Sequence, residues 1–342
     1  MKMSTAPAPA RLRARSMRAR SLLGAVVAAC AAMAATVPAT AFAQGAFPNK
    51  PIRIVVPFPP GGAGDALPRL VSERATAIIG QPFIVENRPG AGGNIGAEIV
   101  FRAEADGHTL LVTPPNIVTV NSLLYPKLAF DPGTMTPVSI MATYPNVLLA
   151  SPKSPFNTLP EMLAFARANP GKLNIASQGS GTSTHLTAEL FKSMGGLQLV
   201  HVPYKGSGPA LTDLMASQVD LMFDNLVVTL QNVRAGKLKL LAVGGARRAP
   251  QVPDTPAITE TLPGFNSVTW MGFVAPPRTP AAVVDRLSAA FAEAVRDPGV
   301  NKRITDLNVE PYGSTAAQMG EVIRQDREYW TKVIREAAVK VD

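Results

Sequence analysis

From Phe47 onward, short β-rich apolar runs alternate with segments whose apolar residues recur every three or four positions. Ile52–Val56 reads as a buried strand. A helix over Ala66–Ile79 follows, with Leu67, Leu70, Val71 and Ile78 on one face and Asp65 placed to cap it. Phe83–Glu86 and Thr109–Thr113 read as the next strands. Between them lies a helix that Asn94 caps, that carries Ile95 and Ile99, and that stops at Gly107. The pattern restarts at a strand over Val147–Ala150, and Thr158-x-x-Glu161 is a capping box for a helix ending at Asn169-Pro170-Gly171. Strands at Leu173–Ala176, Leu199–Val202, Val219–Phe223, Leu238–Val243 and Met271–Ala275 are spaced by helices at 183–194, 208–217 and 226–235. Two helices close the chain. The first opens at Thr279-Pro280 and is lined by Val284, Leu287, Phe291 and Val295. The second opens at the Thr315-x-x-Gln318 capping box and carries Met319, Ile323, Trp330 and Ile334.

Strict alternation of strand and helix predicts an α/β protein whose parallel sheets are covered by helices. Nine strands in this length suit two domains better than one. The irregular stretch 114–146 and the Pro-rich stretch 249–280 are the expected crossings. The expected division is a leader over 1–43, a discontinuous domain over 44–143 plus 265–342, and a second domain over 144–264.

Composition narrows the class. With 342 residues, 46% hydrophobic and 17% charged, the chain can fill real cores, which excludes disorder and a disulfide-stapled miniature. The net charge of +9 is misleading, because residues 1–43 hold six basic residues and no acid, leaving 27 basic against 24 acidic residues beyond them. No basic stripe remains to support nucleic-acid binding. The first 43 residues read as a cleaved secretory signal. Basic residues run to Arg20, an apolar run follows from Leu22 to Ala35, and Ala41-Phe42-Ala43 sets cleavage before Gln44. There is no twin-Arg pair, so export into the periplasm in the unfolded state is expected. Cys30, the only cysteine, lies in Val27-Ala28-Ala29-Cys30, which loosely resembles a lipoprotein box. The better cleavage site further on favours Cys30 as a small residue discarded with the leader.

In α/β sheets ligands bind beyond the carboxyl ends of the strands, and the informative residues lie there. The first such loop offers Pro60, Gly61, Gly62 and Asp65. The second is Asn87-Arg88-Pro89-Gly90-Ala91-Gly92-Gly93-Asn94, and the third offers Thr113 and Asn116. In the second half Ser177, Gly179, Ser180, Gly181, Thr182, Thr184 and His185 form one loop, followed by Tyr204 and then Asp224. Glycines admit close backbone approach, and a helix N-terminus adds free N–H donors and partial positive charge. Neither the 59–65 loop nor the 177–185 loop contains Arg or Lys, so a carboxylate held between them is neutralised by dipoles and hydroxyls. Asp224 has two readings, a cap for the helix beginning near Leu226 or a carboxylate facing a hydrogen-bond donor on the ligand.

Catalytic signatures are missing. Gly179-x-Gly181 and Gly90-x-Gly92 do not complete a dinucleotide fingerprint, and there is no P-loop and no G-x-S-x-G elbow. Ser183 and His185 lack an orienting third group. None of His108, His185 and His201 is at metal-ligand spacing with another His or Cys, so neither metal nor cofactor is expected. His201 reads as packing and His108 as a turn residue. Trp270 and Trp330 read as core, with Trp270 also a candidate for the cleft.

The chain resembles the Bug receptors, the extracytoplasmic solute receptors of the tripartite tricarboxylate transporter (TctC-like) family. The likeness rests on Pro51-Ile52-Arg53-Ile54-Val55-Val56-Pro57-Phe58 with Gly61-Gly62 and Asp65, and on Val85-Glu86-Asn87-Arg88-Pro89-Gly90-Ala91-Gly92-Gly93. It continues in Val202-Pro203-Tyr204-Lys205-Gly206 with Pro209-Ala210 and Asp213-Leu214, in Val219-Asp220 with Phe223-Asp224, and in Leu240-Leu241-Ala242-Val243 with Arg247-Arg248. The resemblance implies a monomeric, non-enzymatic, two-domain periplasmic binding protein of Venus-flytrap, type II-like form. Its partners would be a small organic acid, amino acid or related carboxylate, and integral-membrane permease subunits. It also implies that backbone groups, hydroxyls and ordered waters hold the ligand carboxylate. Presentation to a sensor kinase and hydrolysis of small acids are the alternatives. The Ser177-Gln178 pair departs from the Gly or aromatic common before Gly-Ser-Gly in the family, which bears on ligand choice.

Overall fold

Ile52, Ile54, Val55 and Val56 have no exposed surface, which is what an apolar run covered on both sides requires. The structure, a computed structural model, describes Met1 and residues 47–60, 63–125, 127, 128, 130–336 and 339. The expected leader, its cleavage site and Cys30 lie outside the described residues, as do Gly61 and Gly62.

The strands are β1 (Ile52–Val56), β2 (Phe83–Asn87), β3 (Thr109–Thr113), β4 (Thr136–Ala150), β5 (Asn174–Ser177), β6 (Val200–Pro203), β7 (Leu221–Asn225), β8 (Lys239–Val243), β9 (Val268–Ala275) and β10 (Glu310–Pro311). The helices are α1 (Ala63–Ile79), α2 (Asn94–Phe101), α3 (Pro115–Thr119), α4 (Asn121–Leu124), α5 (Leu159–Ala168), α6 (Ser183–Gly195), α7 (Ser207–Met215), α8 (Leu226–Arg234), α9 (Ala281–Arg296), α10 (Pro298–Asp306) and α11 (Ala316–Glu336). Among the described residues no helix is long and apolar enough to cross a membrane.

The strands form one ten-stranded sheet in the order β2-β1-β3-β9-β4-β7-β5-β6, with β8 and β10 also pairing with β4. Its flanks are parallel as expected: β1 pairs with β2 and β3, and β5 with β6 and β7. Its centre is not. β9 runs antiparallel between β3 and β4, and β4 runs antiparallel to β7 and β8. The stretch expected to be irregular therefore contains most of a 15-residue strand. Pro137 and Pro145 disguise it, and the register against β9 shifts between Pro137 and Ser139 and again between Ile140 and Ala142.

Four buried clusters fill the two sides of this sheet. In the first half, α1 and α9 pack Leu67, Val71, Leu287 and Phe291 against β1, β3 and β9. On the opposite face lie Ala97, Val100, Ile117, Met319 and Ile323. In the second half, Phe156, Leu163, Leu186, Phe191, Phe223 and Phe265 form one cluster. Ala210, Leu214, Leu226 and Leu230 form the other. Helix α11 joins both halves: Met319 and Ile323 belong to the first, while Trp330, Val333 and Ile334 belong to the second. Thr315 and Gln318 form the expected capping box, with the Gln318 N–H donating to Thr315 Oγ1 and the Thr315 N–H to Gln318 Oε1.

Candidate functional site

The β5–α6 turn is built around two left-handed glycines, Gly179 at φ 141° and Gly181 at φ 75°, positions that a side chain would strain. Thr182 is the N-cap of α6, its hydroxyl accepting from the His185 N–H at 3.4 Å. The Gln178 N–H donates to Thr184 Oγ1 at 3.0 Å, and the Gly181 N–H donates to His185 Nδ1 at 3.0 Å. Ser177, Thr184 and His185 are buried, whereas Ser180, Thr182 and Ser183 are partly open. The backbone N–H groups of Ser180, Ser183 and Thr184 meet no acceptor among the described residues.

Asp224 ties three loops together. Its Oδ1 accepts from Gln178 Nε2 at 2.5 Å, from Ser207 Oγ at 3.0 Å and from the Asn225 N–H at 2.7 Å. Its Oδ2 has no partner among the described residues, and the residue has no exposed surface. Burial pushes the carboxyl up to about 6. The capping reading is corrected, because the N-cap of α8 is Asn225, which makes no side-chain cap bond, and Asp224 reaches only the N–H of Asn225 rather than the first turn of the helix. Tyr204 N–H donates to the Ser177 carbonyl and Gly206 N–H to the Gln178 carbonyl, so the β5 and β6 loops are knit together through their backbones. The Tyr204 hydroxyl donates to Asp213 Oδ2 at 2.7 Å, and burial with that carboxylate pushes it up to about 12.

In the other half, Asp65 lies in the first turn of α1 rather than before it. Its Oδ1 accepts from Arg69 Nε and Asn87 Nδ2, both at 2.9 Å, joining α1 to the end of β2. Asn94 is likewise the first residue of α2 rather than its cap. Gly93, at φ 94°, takes the cap position, and α2 ends at Phe101, before Gly107. The freed Asn94 side chain is buried, with Oδ1 accepting from Asn121 Nδ2 at 2.7 Å, and Asn116 Nδ2 reaches Asn121 Oδ1 at 3.4 Å. Thr113 is buried, its hydroxyl donating to the Pro114 carbonyl. Pro60 is exposed. Trp270 is core, with Nε1 donating to Asp326 Oδ2 at 2.7 Å; burial pushes that carboxyl up to about 6.

Tyr125 joins the site with no local signal in the sequence to mark it. Its hydroxyl donates to the Ser180 carbonyl at 3.4 Å, and a Cβ built on Gly92 would lie 2.7 Å from that hydroxyl. Tyr125 thus touches both the 87–94 loop and the 177–185 loop. It lies in the stretch 114–146, which reads as irregular in the sequence.

Four basic side chains of the region are engaged, whereas Lys205, in the loop beyond β6, is exposed and meets no acid among the described residues. Arg69 serves Asp65 and Asn87, Arg88 and Arg53 serve Glu86, and Lys192 Nζ donates to both oxygens of Glu189 at 2.8 and 2.9 Å. His201 does more than pack. It stacks on His185 with ring centroids 4.0 Å apart and planes 7° apart, and its Nε2 lies 2.7 Å from Ser177 Oγ. The expectation about histidine spacing needs correcting too, because the fold brings ligand atoms of His185, Glu189 and His201 within 4.8 Å of one another. Parallel rings do not aim their in-plane lone pairs at a common point, and Lys192 already occupies the carboxylate.

The family model for the tripartite tricarboxylate transporter family receptor (TctC) matches residues 67–339. The UPF0065 protein in the tcbD-tcbE intergenic region of a Pseudomonas species is 41% identical over 294 residues, which is 85% of this chain and 87% of that protein. Among solved structures, the R. palustris protein Rpa4515 with adipate is 34% identical with a TM-score of 0.80, covering 86% of this chain and 100% of that one. MatC from Rhodopseudomonas palustris with bound malate is also 34% identical, with a TM-score of 0.76, covering 84% of this chain and 100% of that one. The glycine-rich loops beyond β2 and β5, the mixed sheet with β4 at its centre and these likenesses agree: the chain belongs to the tripartite tricarboxylate transporter (TctC) family of periplasmic solute receptors.

Proposed function

We propose that the chain captures a small carboxylate-bearing solute between the loops beyond β1, β2 and β3 and those beyond β5, β6 and β7, and delivers it to integral-membrane subunits of a tripartite tricarboxylate-type transporter. The expected leader would place it in the periplasm, and residues 44–143 plus 265–342 and residues 144–264 would be the two domains that close on the solute. The observation that carries this reading is the start of α6. Three backbone N–H groups that meet no acceptor among the described residues, the hydroxyl of Ser180 and the helix dipole lie there, while the Thr182 hydroxyl is held within the turn by the Gly179 carbonyl. Arg69 and Lys192 are engaged with acids, so the start of α6 itself offers neutral donors to an anion, with the exposed Lys205 as the cation of the neighbouring loop. Asp224 and His185 belong to this site as supports of its loops. The relatives with bound adipate and malate make dicarboxylates the first probes.

A thermal-shift screen of the purified protein against adipate, malate, other dicarboxylates, amino acids and aromatic acids tests the reading. A ligand at 100 times its Kd raises stability by about 2.7 kcal/mol. Shifts with acids, absent with their amides or esters, are expected. A panel without any shift defeats the reading.

A further inference from the structure

We propose that the stacked imidazoles of His185 and His201 are positioning residues that clamp the two ends of the Ser177–Gly181 turn, His185 as a hydrogen-bond acceptor from the Gly181 N–H and His201 as the partner of the Ser177 hydroxyl, and that capture of an acid at this turn requires both. The inference rests on the capture reading above and deepens it.

The geometry is reciprocal. At one end of the turn the buried Gly181 N–H donates to His185 Nδ1. At the other, Ser177 Oγ already accepts the Gly179 N–H at 3.2 Å, and its own hydrogen has His201 Nε2 at 2.7 Å or the Gly179 carbonyl at 3.4 Å. The 2.7 Å pair is a hydrogen bond whichever of Ser177 and His201 donates, so His185 presents a lone pair to the turn, which an imidazolium lacks, and His201 pairs with the Ser177 hydroxyl. Stacking at 4.0 Å braces each ring against the other, so the ends of the turn are held at a fixed separation by rings that come from α6 and from the neighbouring strand β6. Gly179 within the turn and Gly181 at its end contribute no side-chain anchor of their own.

The surroundings keep His185 neutral. The titratable groups that meet it are Glu189 and Lys192 on its own helix and His201 on β6. Glu189 Oε1 stands 3.8 Å from Nε2, beyond hydrogen-bond reach, and is paired with Lys192. Burial, with the Lys192 charge, pushes His185 down to about 4. Acid would convert its acceptor to a donor facing the Gly181 N–H and loosen the turn.

The test uses isotope-labelled full-length mature protein and three variants. His185→Asn keeps an acceptor at the Nδ1 position without titrating, His185→Ala removes it, and His201→Phe keeps the stack without the partner for Ser177. Ring nitrogen shifts at pH 7 should show Nδ1 of His185 unprotonated in the parent. Gly181 amide exchange should quicken at least about tenfold in His185→Ala and return toward the parent rate in His185→Asn. Affinity for malate and adipate should follow the same order, with His201→Phe weakened as well. Between pH 7 and pH 4 the parent should lose affinity more steeply than His185→Asn, since ligand protonation is common to both. If neither acid binds the parent, the capture reading fails for these probes, while ring shifts and Gly181 exchange still decide the clamp. Equal Gly181 exchange in the parent and His185→Ala, or a protonated Nδ1 in the parent at pH 7, overturns it.

Discussion

The Tyr125 hydroxyl reaches the carbonyl of Ser180, 55 residues along the chain, at 3.4 Å, with Gly92 on its other side. The separation is longer than a well-formed O–H···O bond, so the contribution to stability is small. Its value lies in linking the loop beyond β2 to the loop beyond β5. Tyr125→Phe is expected to leave thermal stability within about 0.5–1.5 kcal/mol of the parent. Any acid that binds should dissociate severalfold faster. Stopped-flow release measured with the parent and variant side by side checks this, and equal release rates would remove Tyr125 from the site.

Asp224 makes stability depend on pH. Its folded carboxyl lies at about 6 against an ordinary value of 3.8, so between those values the folded chain holds a proton that the unfolded chain releases. The sign follows. The contribution is most favourable below pH 3.8, falls as pH rises, and is a constant penalty above about pH 6. Asp224→Asn can keep an oxygen for Gln178, Ser207 and Asn225 while removing the buried charge. It should therefore be more stable than the parent at pH 7, by about 1–3 kcal/mol, and lose that advantage at pH 4. Urea unfolding at the two pH values measures the difference. A variant weaker than the parent by the same amount at both would refute the assignment.

Phe191 is fully buried and meets Phe223 and Phe265 edge-on at 5.5 and 6.2 Å, at the centre of the second half's core. Phe191→Ala should cost about 3–5 kcal/mol, because little around three packed rings can collapse into the cavity. Calorimetry should show a large fall in melting temperature, whereas a loss below about 1 kcal/mol would mean a loosely packed site.

The flanking strands were legible because their apolar runs are short, unbroken and followed by glycine-rich turns. Ile52–Val56 and Thr109–Thr113 were placed to the residue. The first part of β4 was not, because Pro137 and Pro145 argue against a central strand unless bulges and a change of partner are known beforehand. Helix α10 was missed because it follows α9 directly, with only Asp297, its N-cap, between them. At the site, loops that join consecutive elements could be read locally. The contacts of Tyr125 with Ser180, of His201 with Ser177 and of Asp224 with Gln178 depend on tertiary neighbours, which spacing along the chain does not reveal.

The place of β9 sets an order of events as the chain emerges, N-terminus first, into the compartment where it folds. Strand β3 ends at Thr113 and β4 begins at Thr136, yet neither pairs with the other, because Val268–Ala275 lies between them. As the chain emerges from its N-terminus, β1, β2 and β3 can assemble early. The slot beside β3 then waits for more than 150 further residues. Until β9 arrives, β3 and β4 each present an open edge flanked by apolar faces, the kind of surface on which partly made sheets aggregate. Closure of the sheet is thus a late step with a large loop to close, and chains arrested before about residue 275 should need a holding chaperone to remain soluble.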